Sequence, residues 1–65
     1  MSVAELPRLL NSKQAAEVLG VAVYTLRKWR MLGQGPRAVK VEGAVRYDPA
    51  DLQAYIERNR DSVND

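Results

Sequence analysis

The stretch VLGVAVYTLRKWR, residues 18–30, decides how this chain of 65 residues is expected to fold. Its first part completes an apolar helical segment that ends at Gly20, a residue suited to the left-handed backbone that closes many helices. After a short turn the helical periodicity resumes, and among the residues of this second segment are one tyrosine and three cations: Tyr24, Arg27, Lys28 and Arg30. The stretch therefore predicts two short helices joined by a tight turn, the second of them basic.

Two short helices joined by a glycine-containing turn are typical of helix-turn-helix proteins, in which the second helix reads DNA. Arginine suits this task because its guanidinium can donate two hydrogen bonds to guanine O6 and N7. The alternative is an ordinary solvated helix face. We expect a binding function, with double-stranded DNA as the partner.

The composition argues against an enzyme. The chain contains neither cysteine nor histidine, which excludes disulfides, thiolate zinc sites, Cys or His nucleophile systems and imidazole acid–base chemistry. The length allows one domain. We predict no catalytic residues, no metal site and no cofactor.

Charge is distributed unevenly along the chain. Residues 13–46 contain seven basic and two acidic side chains, whereas residues 48–65 contain two basic and five acidic ones. A basic body with an acidic end suits a polyanion bound on one face only. The acidic end either meets a neighbouring copy or an integrase, or is a disordered tail.

Nothing in the sequence predicts a membrane or export segment. No apolar run approaches the roughly 20 residues of a membrane span. The first ten residues, MSVAELPRLL, lack the charged and then apolar pattern of a signal peptide. We expect a cytoplasmic protein, in the nucleoid or in the host cytoplasm if a phage encodes it.

Caps and periodicity predict the first two helices. Asn11 as N-cap and Gln14 three residues later form a capping box before a helix over residues 12–19, with small alanines on its inner face. The second helix has Ala22 as its N-cap, a weak choice because it offers no side-chain oxygen. Leu26 and Trp29 share its buried stripe, and for Trp29 core packing is favoured over base stacking.

The rest of the chain predicts a β-hairpin followed by a third helix. Two alternating segments flank the turn Glu42-Gly43, with Val39, Val41, Val45 and Tyr47 expected to face the core and Lys40 and Arg46 to face outward. The third helix opens with Asp48 as N-cap and Pro49 at its first position, and its buried stripe is Leu52, Tyr55 and Ile56. The expected fold is mainly α with a small β-hairpin, in the order helix, helix, hairpin, helix. Residues 1–8 are expected to be an irregular lead-in, 9–60 the folded domain and 61–65 a flexible acidic tail.

In this order, the segments LLNSKQAAEVLGVAVYTLRKWR, GPRAVKVEGAVRY and DPADLQAYIERNR resemble the excisionase-type winged helix-turn-helix family, which is related to the MerR DNA-binding domain. The resemblance covers residues 9–60. It implies that the helix over residues 23–32 enters the major groove. It also implies that the hairpin 38–46 is a wing on the adjacent minor groove or backbone.

Two residues depart from the family pattern. The position that caps the recognition helix is often Ser in the family and is Ala22 here, which removes a phosphate contact. The wing tip lacks the cation that many relatives carry and has Glu42, which repels phosphate. Wing binding is then expected to rest on Lys40 and Arg46.

The residues predicted to contact DNA follow from this arrangement. Arg27 and Lys28 divide the contacts to base edges and phosphates, while the Tyr24 hydroxyl reaches a phosphate. Arg30 is either a phosphate ligand or an internal ion-pair partner. The full predicted set is Val23, Tyr24, Thr25, Arg27, Lys28 and Arg30 on the recognition helix, and Lys40 and Arg46 on the wing.

The resemblance implies a phage excisionase, also called a recombination directionality factor. Such proteins bind repeated sites cooperatively, bend the DNA of an attachment site and direct an integrase toward excision. We expect a monomer in solution that assembles head to tail on DNA. The alternatives are a small transcriptional regulator of phage or plasmid genes, which would use the same DNA-binding surface, and a protein-interaction module.

Overall fold

The computed structural model describes residues 8–60. These contain α1 (Ser12–Leu19), α2 (Val23–Met31), β1 (Val39–Val41), β2 (Ala44–Arg46) and α3 (Pro49–Asn59). The predicted fold class is confirmed: the described chain is mainly helical, with one antiparallel hairpin between the second and third helices. The predicted tail and all but the last residue of the predicted lead-in lie outside the described residues. No helix within residues 8–60 is long and apolar enough to cross a membrane.

The predicted capping box opens α1. The Asn11 side chain accepts a hydrogen bond from the Gln14 amide at 2.8 Å, and the Asn11 amide donates to the Gln14 side chain at 3.0 Å. The helix closes at Gly20, whose φ of 72° is left-handed. The next amide, that of Val21, donates to the carbonyl of Ala16 at 3.0 Å, which is the long-range bond of a Schellman ending. Both ends of α1 are thus fixed by local hydrogen bonds.

The start of α2 lacks such a cap. Ala22 adopts the extended backbone of an N-cap residue, but no side chain accepts a hydrogen bond from the first turn. The position of α2 is therefore set by packing, since Leu26 is buried between the helices and Trp29 packs against the core.

The core lies where the three helices meet the end of the hairpin. Its fully buried members come from α1, α2, α3 and the residue after β2, and they are Ala15, Ala16, Leu26, Tyr47 and Leu52. Because two of them are alanines, α1 can pack closely against both α2 and α3. On α3 only Leu52 of the predicted stripe is fully buried, while Tyr55 and Ile56 are half-buried.

The hairpin is fastened to the helices through β2. Leu10 and Tyr47 exchange two backbone hydrogen bonds of 2.8 Å, which form an isolated bridge just before α1 and just after β2. The tip is a two-residue turn in which Glu42 and Gly43 both have positive φ, as in a type I′ hairpin. The Asp48 side chain then accepts from the Ala50 amide at 2.9 Å and opens α3 as predicted.

The prediction that Val39 and Val41 face the core is wrong. Val41 is 50% exposed, whereas Val45 packs against the core. Lys40 is paired with Val45 in the register, and directly opposed residues share a face of a hairpin. The β1 valines therefore lie on the other face. Across this two-residue turn each odd-numbered residue of one strand is opposite an even-numbered residue of the other. An alternation pattern continued through the turn therefore assigns one of the two strands to the wrong face.

Candidate nucleic-acid interface

One face of α2 is exposed and cationic. Tyr24 and Met31 are 70% and 80% exposed, and Arg27 and Lys28 between them are exposed as well. Their spacing of three, four and seven residues places them on one side of the helix. The structure thus brings together the three central residues of the predicted DNA-reading set, Tyr24, Arg27 and Lys28.

The other predicted residues of α2 are less available. Val23, Thr25 and Arg30 are each half-buried. Val23 also packs against the core, so part of its side chain is committed to the fold. The six predicted residues therefore divide into an exposed triplet and three that border the interior.

A groove opens between the start of α1, the side of α2 and β2. It has a volume of about 550 Å³. Four basic side chains line it, together with Asn11, Ser12 and Val45: they are Lys13, Arg27, Arg30 and Arg46. We call it the cationic groove. Lys13 was not among the predicted DNA ligands; the signal in the sequence is that it is the one basic residue of α1 and lies two positions after the cap.

The structure separates the two cations predicted for the wing. In the hairpin register Arg46 is opposite Val39, and Lys40 is opposite Val45. Lys40 and Arg46 are therefore on different faces, contrary to the prediction that they point outward together. Lys40 is exposed, whereas Arg46 is half-buried and its Nη1 donates to the Val45 carbonyl at 2.7 Å.

Arg30 lies beside the buried Tyr47. The Arg30 Nε and the Tyr47 hydroxyl are both shielded from solvent, and neither has a hydrogen-bond partner of good geometry among the described residues. Burial raises the pKa of the Tyr47 hydroxyl, and the charge of Arg30, together with a weak hydrogen-bond interaction with its side chain, offsets part of that rise. The Arg30 guanidinium is thus held at the inner edge of the cationic groove.

No carboxylate neutralises these cations within residues 8–60. The one salt bridge there joins Arg60 to Glu57 at 2.7 Å at the C-terminal end of α3, with both side chains exposed. The predicted alternative of an internal ion pair for Arg30 is therefore not found among the described residues. An uncompensated cationic surface of this kind attracts polyanions.

The family model described as a helix-turn-helix domain matches residues 9–60. The chain belongs to the helix-turn-helix domain family. No curated protein and no solved structure shows significant similarity to it. Membership supports sequence-specific binding of double-stranded DNA, and it identifies α1 and α2 as the two helices of the motif.

In a helix-turn-helix domain the second helix lies in the major groove and the first crosses the backbone. The exposed cationic face of α2 is the side of that second helix which the fold leaves free. The cationic groove lies beside that face, and Arg27 borders both. The hairpin after α2 gives the domain the winged form that the sequence predicts.

Proposed function

We propose that the protein binds a specific duplex site by placing α2 in the major groove, and that it serves as a phage excisionase. The observation that carries the DNA-binding part is the exposed face of Tyr24, Arg27 and Lys28 on the second helix of a helix-turn-helix domain. An exposed arginine and lysine on a helix in this position supply the donors that base edges and phosphates accept.

The contacts are divided by side-chain chemistry. Arg27 donates two hydrogen bonds to a guanine, since the guanidinium fork matches O6 and N7. Lys28, a flexible point charge, binds a phosphate, and so does the Tyr24 hydroxyl. Val23 contacts a thymine methyl with the part of its side chain that the core leaves free. Thr25, also half-buried, either packs against the fold or binds a phosphate.

The wing makes a secondary contact. Lys40 is exposed on β1 and reaches the backbone or the minor groove, while Glu42 at the tip opposes close approach. A single copy therefore binds with moderate affinity. Several copies bound side by side would gain affinity through contacts with one another.

The role as an excisionase is supported by the resemblance of residues 9–60 to excisionase-type domains. Copies of the protein assemble head to tail on repeated sites, bend the attachment DNA and direct an integrase toward excision. A transcriptional regulator would use the same DNA-binding surface, so the cellular role has to be tested separately from DNA binding.

Binding is tested first. Selection from a random duplex library should yield one conserved motif, and footprinting on phage attachment DNA should show protected direct repeats. Failure to enrich any motif would contradict site-specific binding.

Recombination is tested second, with the cognate phage integrase and a plasmid carrying both attachment junctions. Addition of the protein should raise the yield of excised product. An Arg27→Ala variant should not, and Arg58→Ala, which removes a cation of α3, should act as the unmodified protein does. Protection confined to a promoter, with no effect on excision, would instead identify a transcriptional regulator.

A further inference from the structure

We infer that the cationic groove binds one phosphodiester of the DNA backbone, with Lys13, Arg30 and Arg46 as its ligands. The inference rests on the proposed DNA binding and adds a site to it. It assigns Arg46 to a DNA contact beside the body of the domain instead of the predicted contact on the wing. It also assigns a DNA contact to one residue of α1, Lys13.

The groove carries several positive charges, which favour the binding of an anion. Four basic side chains from three elements line one cavity of about 550 Å³, and no carboxylate is among its lining residues. Gathering like charges costs free energy unless a counter-charge is bound. The groove borders α2, the helix that enters the major groove, so the nearest available anion in the complex is a backbone phosphate.

Its arginines are held in place before DNA arrives. Arg46 is half-buried and is tied to the Val45 carbonyl by a 2.7 Å hydrogen bond. Arg30 is half-buried, and its Nε is shielded from solvent. Side chains already restricted in this way lose less conformational entropy when they bind a ligand. Lys13 is exposed at the rim and contributes a flexible charge.

A phosphate ligand has a particular binding signature. Backbone contacts carry no sequence information, so losing one should weaken binding to every duplex alike. Each phosphate contact also adds about 0.9 to the slope of log affinity against log salt. Loss of a base-reading residue would instead change the preferred sequence.

The chain offers a matched control in Lys40. Lys13→Ala and Lys40→Ala each remove one exposed lysine charge, but only Lys13 lines the groove. Arg46→Ala removes the hairpin cation that does line it. Lys13→Arg keeps the charge and should restore binding.

The decisive experiment replaces single phosphates of the selected duplex by uncharged methylphosphonates, one position at a time, and measures affinity by fluorescence anisotropy. The unmodified protein should bind several-fold less tightly when one particular phosphate is neutralised. The Lys13→Ala and Arg46→Ala variants should each bind the native duplex several-fold less tightly. Neutralising that same phosphate should not weaken their binding further. Lys40→Ala should keep its sensitivity there. Circular dichroism and thermal melting establish that each variant is folded.

If Lys13→Ala and Arg46→Ala lose sensitivity at different phosphates, or at none, the shared site is disproved while DNA binding stands. If binding by Lys40→Ala were equally insensitive to neutralisation of that phosphate, the effect would reflect the total charge of the protein. The groove would then also be disproved as the phosphate site. Failure of the unmodified protein to bind any duplex would refute the proposed function itself.

Discussion

Gly35 lies directly against Trp29: a Cβ atom at Gly35 would be 3.1 Å from the Trp29 Cβ and 3.3 Å from its Cε3. The indole also faces Tyr55 of α3, with ring centroids 6.3 Å apart. The loop that leaves α2 is thus packed on the indole that joins α2 to the rest of the fold. Trp29 is consequently a structural residue, as the sequence predicts, and not a base-stacking platform.

Gly35→Ala should destabilise the fold more than Gly33→Ala. Both glycines have positive φ, a conformation that costs other residues about 1–2 kcal/mol. Only at Gly35 does the added methyl also press on another side chain, since the Trp29 Cβ at 3.1 Å would have to shift by a few tenths of an ångström. We expect a free energy of unfolding lower by at least about 1 kcal/mol relative to Gly33→Ala, measured by urea denaturation. Equal losses would show that the contact with Trp29 is loose.

Val45→Thr and Val41→Thr test the hairpin register. Threonine keeps the branched shape of valine, so only the burial of its hydroxyl distinguishes the two sites. Val45 packs against the core, and its replacement should lower the free energy of unfolding by about 1 kcal/mol. Val41 is half-exposed, and its replacement should change stability little. Equal losses at the two positions would support the prediction from simple alternation, in which both valines face the core.

Glu42→Asn and Glu42→Gln separate backbone conformation from charge at the wing tip. Both remove the carboxylate and should strengthen DNA binding at low salt. Only asparagine is favoured in the left-handed conformation that residue 42 adopts, with φ of 50°. Thermal unfolding should therefore show a higher Tm for Glu42→Asn than for Glu42→Gln. If neither variant gains affinity, the tip lies away from the phosphates.

Tyr47→Phe removes a shielded hydroxyl that has no partner of good geometry among the described residues. The stability at pH 7 should change by no more than about 1 kcal/mol, since the hydroxyl interacts with Arg30 but forms no hydrogen bond of good geometry among the described residues. Burial raises the pKa of this hydroxyl above its ordinary value of 10.0, so the folded state keeps the proton that the unfolded state releases. Stability of the unmodified protein should therefore fall as the pH rises above about 10.

The same variant supplies the control for that pH dependence. Tyr47→Phe should lose less stability over the alkaline range, because it lacks the buried hydroxyl whose pKa is raised in the folded state. Chemical denaturation at pH 7, 9 and 10.5 measures the difference. Parallel losses in the two proteins would show that the hydroxyl reaches solvent.

Arg27→Ala should relax the DNA preference at one base pair. Loss of a bidentate guanine contact costs about 1–3 kcal/mol on the preferred site and little on a site with another base there. Competition binding with single-base variants of the selected duplex measures this. Lys28→Ala should instead weaken binding to all duplexes alike. A uniform loss for Arg27→Ala would assign it to the backbone.

The sequence was most informative where structure depends on neighbours along the chain. The capping box of Asn11 and Gln14, the end of α1 at Gly20 and the opening of α3 at Asp48 are all present as predicted. Each involves hydrogen bonds between residues a few positions apart, and such bonds leave a readable pattern. The stripe of Leu26 and Trp29 was predictable for the same reason.

Features that depend on distant pairing were not predictable. The facing of Val39 and Val41 depends on the register across the turn, which alternation along one strand does not specify. Lys13 and Arg46 are far apart in sequence and meet only because β2 is fastened beside the start of α1. A single sequence contains no local signal for such an encounter.

The bridge between Leu10 and Tyr47 divides the domain into a fixed part and an adjustable part. It anchors β2, whereas β1 is hydrogen-bonded to β2 alone among the described strands. A change in the length or charge of the tip would rotate or repel β1 while Arg46 stayed beside α1. Sequence changes at the tip should therefore alter the position and charge of β1 and leave Arg46 in the cationic groove, so the two parts of the surface can vary independently.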